Sequence, residues 1–505
     1  MFASRSLVPD SPLLRAAIAA CAARQARAWL VGGPLRDALL GRPIHDFDLA
    51  VERDAIDCAR AAAARLRAPM YVLDAERGAA RVVAAGSDGS RVFLDFAGLR
   101  APTIEADLEL RDFTINAMAI DLAQPEALID PFGGRRDLEA RRLRAVTGRS
   151  LIDDPIRLLR AARLSIGLAF AIEPGTREQI RASAWLIGSA SAERARDELA
   201  QIVAAPGLYR HLTLLDELGL LAVSMPELAA LRGEAQSPPH HWDVFEHTLR
   251  ALNLLEILLG RAAGIESHAG ATQAVSTAPD STWADIDRAL GSLQAALREH
   301  CEKRLSDDRP AWLALKWAAI FHDVGKPATR SMDADGRIRN FGHEDVGAEM
   351  IGARMRALRF STLEVERAAA IVRHHMRPHQ LMEGGVSRRA AYRFFRDAGE
   401  AGVDVLLLSL ADHLATHGPD LNPDRWARRL ELTRALLHEY FHRREETVNP
   451  PALITGHDVM DLLGAPPGRQ VGRVLEAVRE AQAAGEVRTR EEALALARAL
   501  ADERR

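Results

Sequence analysis

The sequence predicts an α+β N-terminal domain followed by mostly α-helical domains, and three features of the 505-residue chain predict it. Residues 1 to about 147 interleave strand-like runs with helical ones; Trp29–Val31, Phe47–Val51, Arg81–Ala84 and Arg91–Phe96 read as strands. From Asp154 onward the apolar residues recur mostly at helical spacing. Breaks punctuate this pattern at Ser237-Pro238-Pro239, at a Gly-, Ala-, Ser- and Thr-rich insertion (Gly264–Ser281) and at Asn449-Pro450-Pro451. The segments that result are 1–147, 148–236, 237–446 and 447–505, within the three or four domains such a length holds.

Composition narrows the function classes. Hydrophobic residues make up 48% of the chain, yet no apolar run reaches the length of a membrane span. The N-terminus lacks the charged start, apolar core and cleavage site of a signal peptide. Cys21, Cys58 and Cys301 are too scattered for a disulfide framework or a metal cluster, which fits a cytoplasmic location. A net charge of −4 excludes a globally basic body, so any RNA contact must come from local basic patches. Lysine occurs only at positions 303, 316 and 326, and arginine supplies nearly all the positive charge.

The densest chemistry lies in Leu30–Glu52, LVGGPLRDALLGRPIHDFDLAVE. A strand turns alternate side chains to opposite faces, so Asp46 and Asp48 share one face while Phe47 and Leu49 take the other. Two carboxylates on one face repel unless a cation sits between them, and Mg²⁺ takes such oxygen sites together with substrate phosphates. Gly32-Gly33 leads into a helix start, where free N–H groups can hold a phosphate. Arg36 adds a cation one turn on. A phosphate grip at Gly33 and Arg36 beside metal carboxylates at Asp46 and Asp48 points to nucleotidyl transfer.

This segment resembles the signature GGxxRD…DxD of the tRNA nucleotidyltransferases (CCA-adding enzymes) and the related bacterial poly(A) polymerases. Arg111-Asp112-Phe113-Thr114-Ile115-Asn116-Ala117-Met118-Ala119 is similar to their second motif, with Leu110 in place of its first arginine. The resemblance implies that Arg111 and Asp112 contact the nucleotide phosphates and sugar. Asp95, in a neighbouring alternating run, is a candidate third carboxylate. Asp130-Pro131-Phe132-Gly133-Gly134 resembles the hinge motif, and the arginines at 135, 136, 141, 142, 144 and 149 form either a solvated face or an RNA contact.

Asp153-Asp154-Pro155 reads as a helix start with Pro at the first helical position. Arg157, Arg160 and Arg163 then share one stripe, with Leu158, Leu159 and Ile166 turned to the core. The family counterpart reads EDxxR and selects the incoming base. By that resemblance Asp154 and Arg157 read the base, while Arg160 and Arg163 serve phosphate or helix support. Arginine suits the ring acceptors of cytosine and adenine, and a carboxylate suits their exocyclic amine. Glu193–Leu199 resembles the neck element of these enzymes.

A second group follows the order His247, His322-Asp323 and Asp412, with His343 and His374 as weaker candidates. This order resembles the HD phosphohydrolases, which implies that His247, His322, Asp323 and Asp412 are metal ligands. Imidazole and carboxylate together accept Mg²⁺, Mn²⁺, Ni²⁺ or Co²⁺ alike, so the ion is not resolved. Residues 451–493 resemble the tail that contacts the tRNA body in bacterial CCA-adding enzymes.

The resemblance thus implies an α+β polymerase-like nucleotidyltransferase head followed by mostly α-helical neck, HD and tail domains. It implies Mg²⁺ at the head, CTP, ATP and tRNA as partners, and neither membrane nor DNA. The expected activity is template-independent addition of C and A to tRNA 3′ ends by two-metal transfer. Between Asp95 and Arg111 the chain is shorter than CCA-adding members generally are, which keeps a CC-adding or A-adding specialist open. A poly(A) polymerase, or a phosphohydrolase whose head only holds RNA, are the further alternatives.

Overall fold

A computed structural model of the protein describes residues 11–44, 46–86, 91–265, 268, 279–306, 309–384, 387–464 and 466–502. Most of the Gly264–Ser281 insertion lies outside these residues. The chain divides into two compact units. One runs to Ser191 and includes Leu218–Leu220; the other comprises Ala192–Glu217 and the residues from Leu221 on.

The first unit is built on a seven-stranded sheet of β1 (Ala28–Val31), β2 (Asp46–Val51), β3 (Met70–Asp74), β4 (Ala79–Ala85), β5 (Arg91–Gly98), β6 (Ala119–Asp121) and β7 (Leu128–Ile129), in the order β3-β4-β5-β2-β1-β6-β7. The β2–β5 pair is parallel and the others are antiparallel. Four strands fall where alternation placed them. Phe47, Leu49, Val51, Leu94 and Phe96 point to one face and are buried beneath the helices Pro12–Ala22 and Ala55–Leu66. Alternation therefore turns Asp46, Asp48 and Asp95 to the other face.

The sequence reading missed β3, β6 and β7. In β3, Tyr71, Val72 and Leu73 are all exposed, as an edge strand permits, so no period-two pattern marks it.

The Asp154-Pro155 start is also corrected. A short helix, Ser150–Asp153, precedes it; Asp154 is extended, and Pro155 leads into Ile156–Leu168 without a side-chain cap. Asp154 instead turns its carboxylate toward Arg157, 3.7 Å away. Leu158 and Leu159 are fully buried, as their spacing requires, and Ile166 is half-buried.

The second unit is helical, apart from short two-stranded ribbons. Val244–Arg261, Ala311–Phe321 and Ala401–His417 are apolar around most of their circumference and are buried accordingly. Beyond them, Gly456–Leu463, Arg469–Ala484 and Arg490–Asp502 close over their own apolar cluster. No described helix is long and apolar enough to cross a membrane.

Candidate active site and candidate metal centre

In the first unit, the β2–β5 register sets Asp48 directly beside Asp95. Gly32, at φ 75°, makes the turn before the helix Gly33–Leu39; a Cβ there would stand 3.1 Å from Asp48 Oδ2 and 3.3 Å from Arg111 Nη1. Backbone, carboxylate and guanidinium thus crowd one spot. Burial, and then the facing Asp95, push the Asp48 carboxyl up to about 6, with Arg111 opposing and Asp46 adding to the rise. A carboxylate this short of positive charge fits a cation-binding role. Asp46 is exposed at the strand end and accepts a 3.3 Å hydrogen bond from the Phe93 N–H.

A cleft of about 400 Å³ brings together Asp48, Asp95, Arg111, Asp112, Arg157 and Arg160. Asp95 is forked by Arg81, its cross-strand neighbour, through two 2.7 Å hydrogen bonds. Arg111 pairs with the buried Asp107 at 3.2 Å, and Asp107 also receives Arg100 at 3.0 Å. Asp112 is braced by Asn116 Nδ2 at 3.0 Å and by Arg160 at 3.4 Å.

Five predicted site residues do not line this cleft, and the exposed Asp46 at the strand end is one of them. The fork of Arg36 is engaged by Asp37 and by Asn116, so Arg36 braces the Asp112 support from behind. Gly33 opens its helix, Asp154 sits against Arg157, and Arg163 is half-buried further along the same helix. Arg157 itself donates to the carbonyls of Ser150 and Leu110, both at 2.9 Å. Burial lowers its pKa from the ordinary arginine value. Arg81, Arg100 and Asp107 went unread; the spacing of four between Asp107, on the helix Ile104–Glu109, and Arg111, just beyond its end, is the signal that points to one of them.

Of the basic run, Arg142 and Arg144 bind the buried Asp137, at 3.3 and 2.8 Å, and Arg135 and Arg149 pair along their own helices with Glu139 and Asp153.

In the second unit, His247 comes from Val244–Arg261, whose start Asp243 caps by accepting from the Glu246 N–H at 2.8 Å. His322 and Asp323 follow the helix Ala311–Phe321, and Asp412 comes from Ala401–His417. His247, His322 and Asp412 offer ligand atoms within 4.8 Å of one another, and Asp323, His343 and His375 form a second such group. Asp323 faces both, with Oδ2 3.6 Å from His247 Nε2 and Oδ1 3.4 Å from His343 Nε2. His375, and not its neighbour His374, is the histidine brought in.

The ring orientations suit metal ligation. His322, His343 and His375 each place Nδ1 against a backbone carbonyl, at 2.9, 2.7 and 2.6 Å. A carbonyl only accepts, so Nδ1 carries the proton and Nε2 presents a lone pair to the centre. His343 Nε2 and His375 Nε2 then face each other at 3.2 Å, lone pair to lone pair, which a shared cation would relieve. Neither ring nitrogen of His247, nor Nε2 of His322, makes a hydrogen bond although both residues are buried. Burial together with His343 and His322 pulls His375 down to about 3, so it stays neutral. Burial pushes Asp412 up, but the facing His247 and His322 outweigh it and hold the carboxyl well below its usual range. Gly325 lets this loop meet the next helix, because a Cβ there would collide with the His343 carbonyl.

Three sequence families match along the chain: the poly A polymerase head domain over residues 28–144, the probable RNA- and SrmB-binding site of polymerase A over 169–231, and the HD domain over 292–417. The A-adding tRNA nucleotidyltransferase of Deinococcus radiodurans is 36% identical over 483 residues, covering 94% of this chain and 96% of its own. The chain belongs to the tRNA nucleotidyltransferase family. The CC-adding tRNA nucleotidyltransferase of Thermus thermophilus is 35% identical over 478 residues, 93% of this chain and 92% of the relative.

Within this family the fold likeness runs over nearly the whole chain. A CCA-adding enzyme solved with CTP matches 97% of this chain and 95% of its own, at TM-score 0.62 and 18% identity. The Thermotoga maritima CCA-adding enzyme solved with tRNA matches 96% and 94%, at TM-score 0.56 and 19% identity. His247 lies outside the stretch matched as an HD domain, yet it packs against the ligand candidates within it.

Proposed function

We propose that the protein adds C and A, from CTP and ATP, to tRNA 3′ ends without a template, and that its helical unit carries a separate metal-dependent phosphohydrolase centre. The observation that carries the first part is the register that sets Asp48 beside Asp95 in one cleft with Arg111, Asp112 and Arg157. Relatives named A-adding and CC-adding tRNA nucleotidyltransferase, and a "Multifunctional CCA protein" of Halorhodospira halophila, 32% identical over 370 residues, support it.

Mg²⁺ ions held by Asp46 and Asp48 would supply charge neutralisation at the attacking 3′ oxygen and the pyrophosphate. The chain's own residues do the positioning. Arg111, held by Asp107, presents its guanidinium toward the triphosphate, and Asp112, held by Asn116 and Arg160, accepts from the ribose hydroxyls. Asp154 and Arg157 read the base. Uracil and guanine present a carbonyl where cytosine and adenine present an amine, so Asp154 would face a second acceptor. An unsatisfied buried acceptor costs about 1–3 kcal/mol, roughly tenfold or more in selectivity.

One observation favours a second reading, a specialist adding only CC or only A. The segment 99–110 is short and held by its own helix, Ile104–Glu109, and by Asp107 between Arg100 and Arg111. A loop that re-sets specificity from C to A has little freedom there.

The test is incorporation of each labelled nucleoside triphosphate into tRNA transcripts ending before CCA, after C and after CC. Addition of C, C and A that then stops is the expected result. Arrest after CC, or A only onto CC, selects the specialist; long A tails make it a poly(A) polymerase, and no addition overturns the proposal.

In the helical unit, a divalent metal held by His247, His322, Asp323 and Asp412 would polarise a phosphate and activate water. His343 and His375 offer a second ion its ligands. Ring opening of 2′,3′-cyclic nucleotides to monophosphates, or release of phosphate from nucleoside monophosphates, tests this reading.

A further inference from the structure

We infer that the pocket over the helical unit's metal centre takes a substrate with two phosphate groups, one at the metal ligands and the other gripped by Arg425, Arg428 and Arg429. This rests on the phosphohydrolase reading and names its substrate class. The pocket holds about 660 Å³ and is lined by Asp323, His343, His375 and Asp412 at its metal end. The helix Pro423–His442 adds Arg425, Arg428 and Arg429 to the lining, three positions that share one helix face.

These arginines differ from their neighbours. Elsewhere in the unit Arg354, Arg367 and Arg309 each meet a carboxylate, at 2.8, 2.6 and 2.6 Å. Among the described residues, none of the three pocket arginines has a carboxylate partner. Arg429 is only 6% exposed; its Nη1 donates to Ser409 Oγ at 2.7 Å, its Nη2 lies 3.2 Å from His379 Nδ1, and its Nε has no partner. Among the described residues, Arg428 reaches only the Asp424 carbonyl, at 3.4 Å, and Arg425 makes no side-chain hydrogen bond. Arg337 lines the same pocket without a carboxylate.

A buried guanidinium costs free energy unless an anion is set against it, and its planar fork matches a phosphate. Within the pocket, the charge of Asp412 only partly offsets the burial of Arg429, and Asp412, like Asp323, faces the candidate metal centre. One phosphate of a substrate would be engaged there too. Arg429 is anchored to Ser409, one helical turn before Asp412, so it stands beyond that phosphate but beside the same helix. A second phosphate, one nucleoside away from the first, meets the arginines. At the metal end water forms the new P–O bond, the ester P–O bond breaks, and the proton passes to the leaving alcohol. A nucleoside 3′,5′-bisphosphate and an RNA ending in a 3′-phosphate share this chemistry.

The experiment uses full-length enzyme with Asp46→Ala and Asp48→Ala, loaded with Mn²⁺, so that nucleotide binding at the head is suppressed. Calorimetry compares adenosine 3′-monophosphate, adenosine 3′,5′-bisphosphate and an RNA trinucleotide with a 3′-phosphate. The bisphosphate is expected to bind at least about tenfold tighter than the monophosphate, in line with charge-assisted bonds to arginine. Adding Arg425→Ala and Arg428→Ala, both at exposed positions, is expected to remove that advantage and leave monophosphate binding as it was. Equal affinity for the two nucleotides, or an advantage that survives the arginine substitutions, would overturn the assignment. Tight binding of the trinucleotide identifies RNA ends as the source of the second phosphate; tight binding of the bisphosphate alone identifies free nucleotide. Phosphate release is followed in the same samples. A bisphosphate preference without any release refutes the phosphohydrolase reading and leaves the two-phosphate pocket standing.

Discussion

In the first unit the acids stand on β-strands at the floor of an open cleft, with arginines arrayed around them. In the second they are sunk between helices among imidazole rings whose Nδ1 protons are tied to backbone carbonyls. The first donor set is all oxygen and half open, which suits a hard ion that arrives with the substrate phosphates and leaves with the product. The second is mixed nitrogen and oxygen and pre-oriented by its hydrogen bonds to backbone carbonyls, which suits a resident transition metal. What differs between the two sites is what surrounds the carboxylates: arginines in the first and imidazoles in the second.

The largest expected effect separates the two centres. Asp46→Ala with Asp48→Ala should lower nucleotide addition on the order of a thousandfold or more while phosphate release stays at its wild-type rate. The comparison breaks if addition survives, or if both activities fall together. In the reverse direction, His322→Ala should abolish bound transition metal, measured by elemental analysis, and reduce phosphate release on the order of a hundredfold, with addition unchanged.

A smaller effect sharpens the account of the first site. Arg157→Met should reduce discrimination against UTP and GTP by roughly tenfold, because the base loses its charged donor and Asp154 its neighbour. Competition between labelled triphosphates on one tRNA reads this directly. Loss of all addition without a change in selectivity would instead make Arg157 the clamp on Leu110 and Ser150 that its hydrogen bonds describe.

The smallest effect concerns stability. A carboxyl whose folded pKa, about 6, lies above its ordinary 3.8 destabilises the folded state above that range and less so as pH falls. The metal-free protein should therefore gain stability between pH 7 and pH 5, on the order of 1 kcal/mol. Asp48→Asn should remove that pH dependence and raise the melting temperature at pH 7, even as it destroys activity. An unchanged melting profile would mean that Asp48 is not held short of positive charge.

Adjacent residues were legible from local pattern, whereas distant ones such as His247 and Asp412 were legible only through the resemblance. Asp46 and Asp48, Arg111 and Asp112, and His322 and Asp323 lie within a few positions of each other, so alternation or simple proximity places them together. The resemblance makes Asp95 a candidate third carboxylate, but the parallel register that sets it beside Asp48 joins strands far apart in the chain and no local pattern specifies it. His375 was missed for the opposite reason. Its helix ends at His374, where periodicity no longer chooses between neighbours, and the bond from His375 Nδ1 to the Val372 carbonyl decides it. Arg425, Arg428 and Arg429 belong to no motif read in the sequence, and only the fold shows that their helix face looks into a pocket.

The most direct test of two centres with different ion chemistry is to strip the enzyme with a chelator and restore one ion at a time. Mg²⁺ alone is expected to restore full nucleotide addition with no phosphate release, and Mn²⁺, Co²⁺ or Ni²⁺ is expected to restore release and to remain bound through gel filtration. Full recovery of both activities with Mg²⁺ alone, and no retained transition metal, would contradict the account.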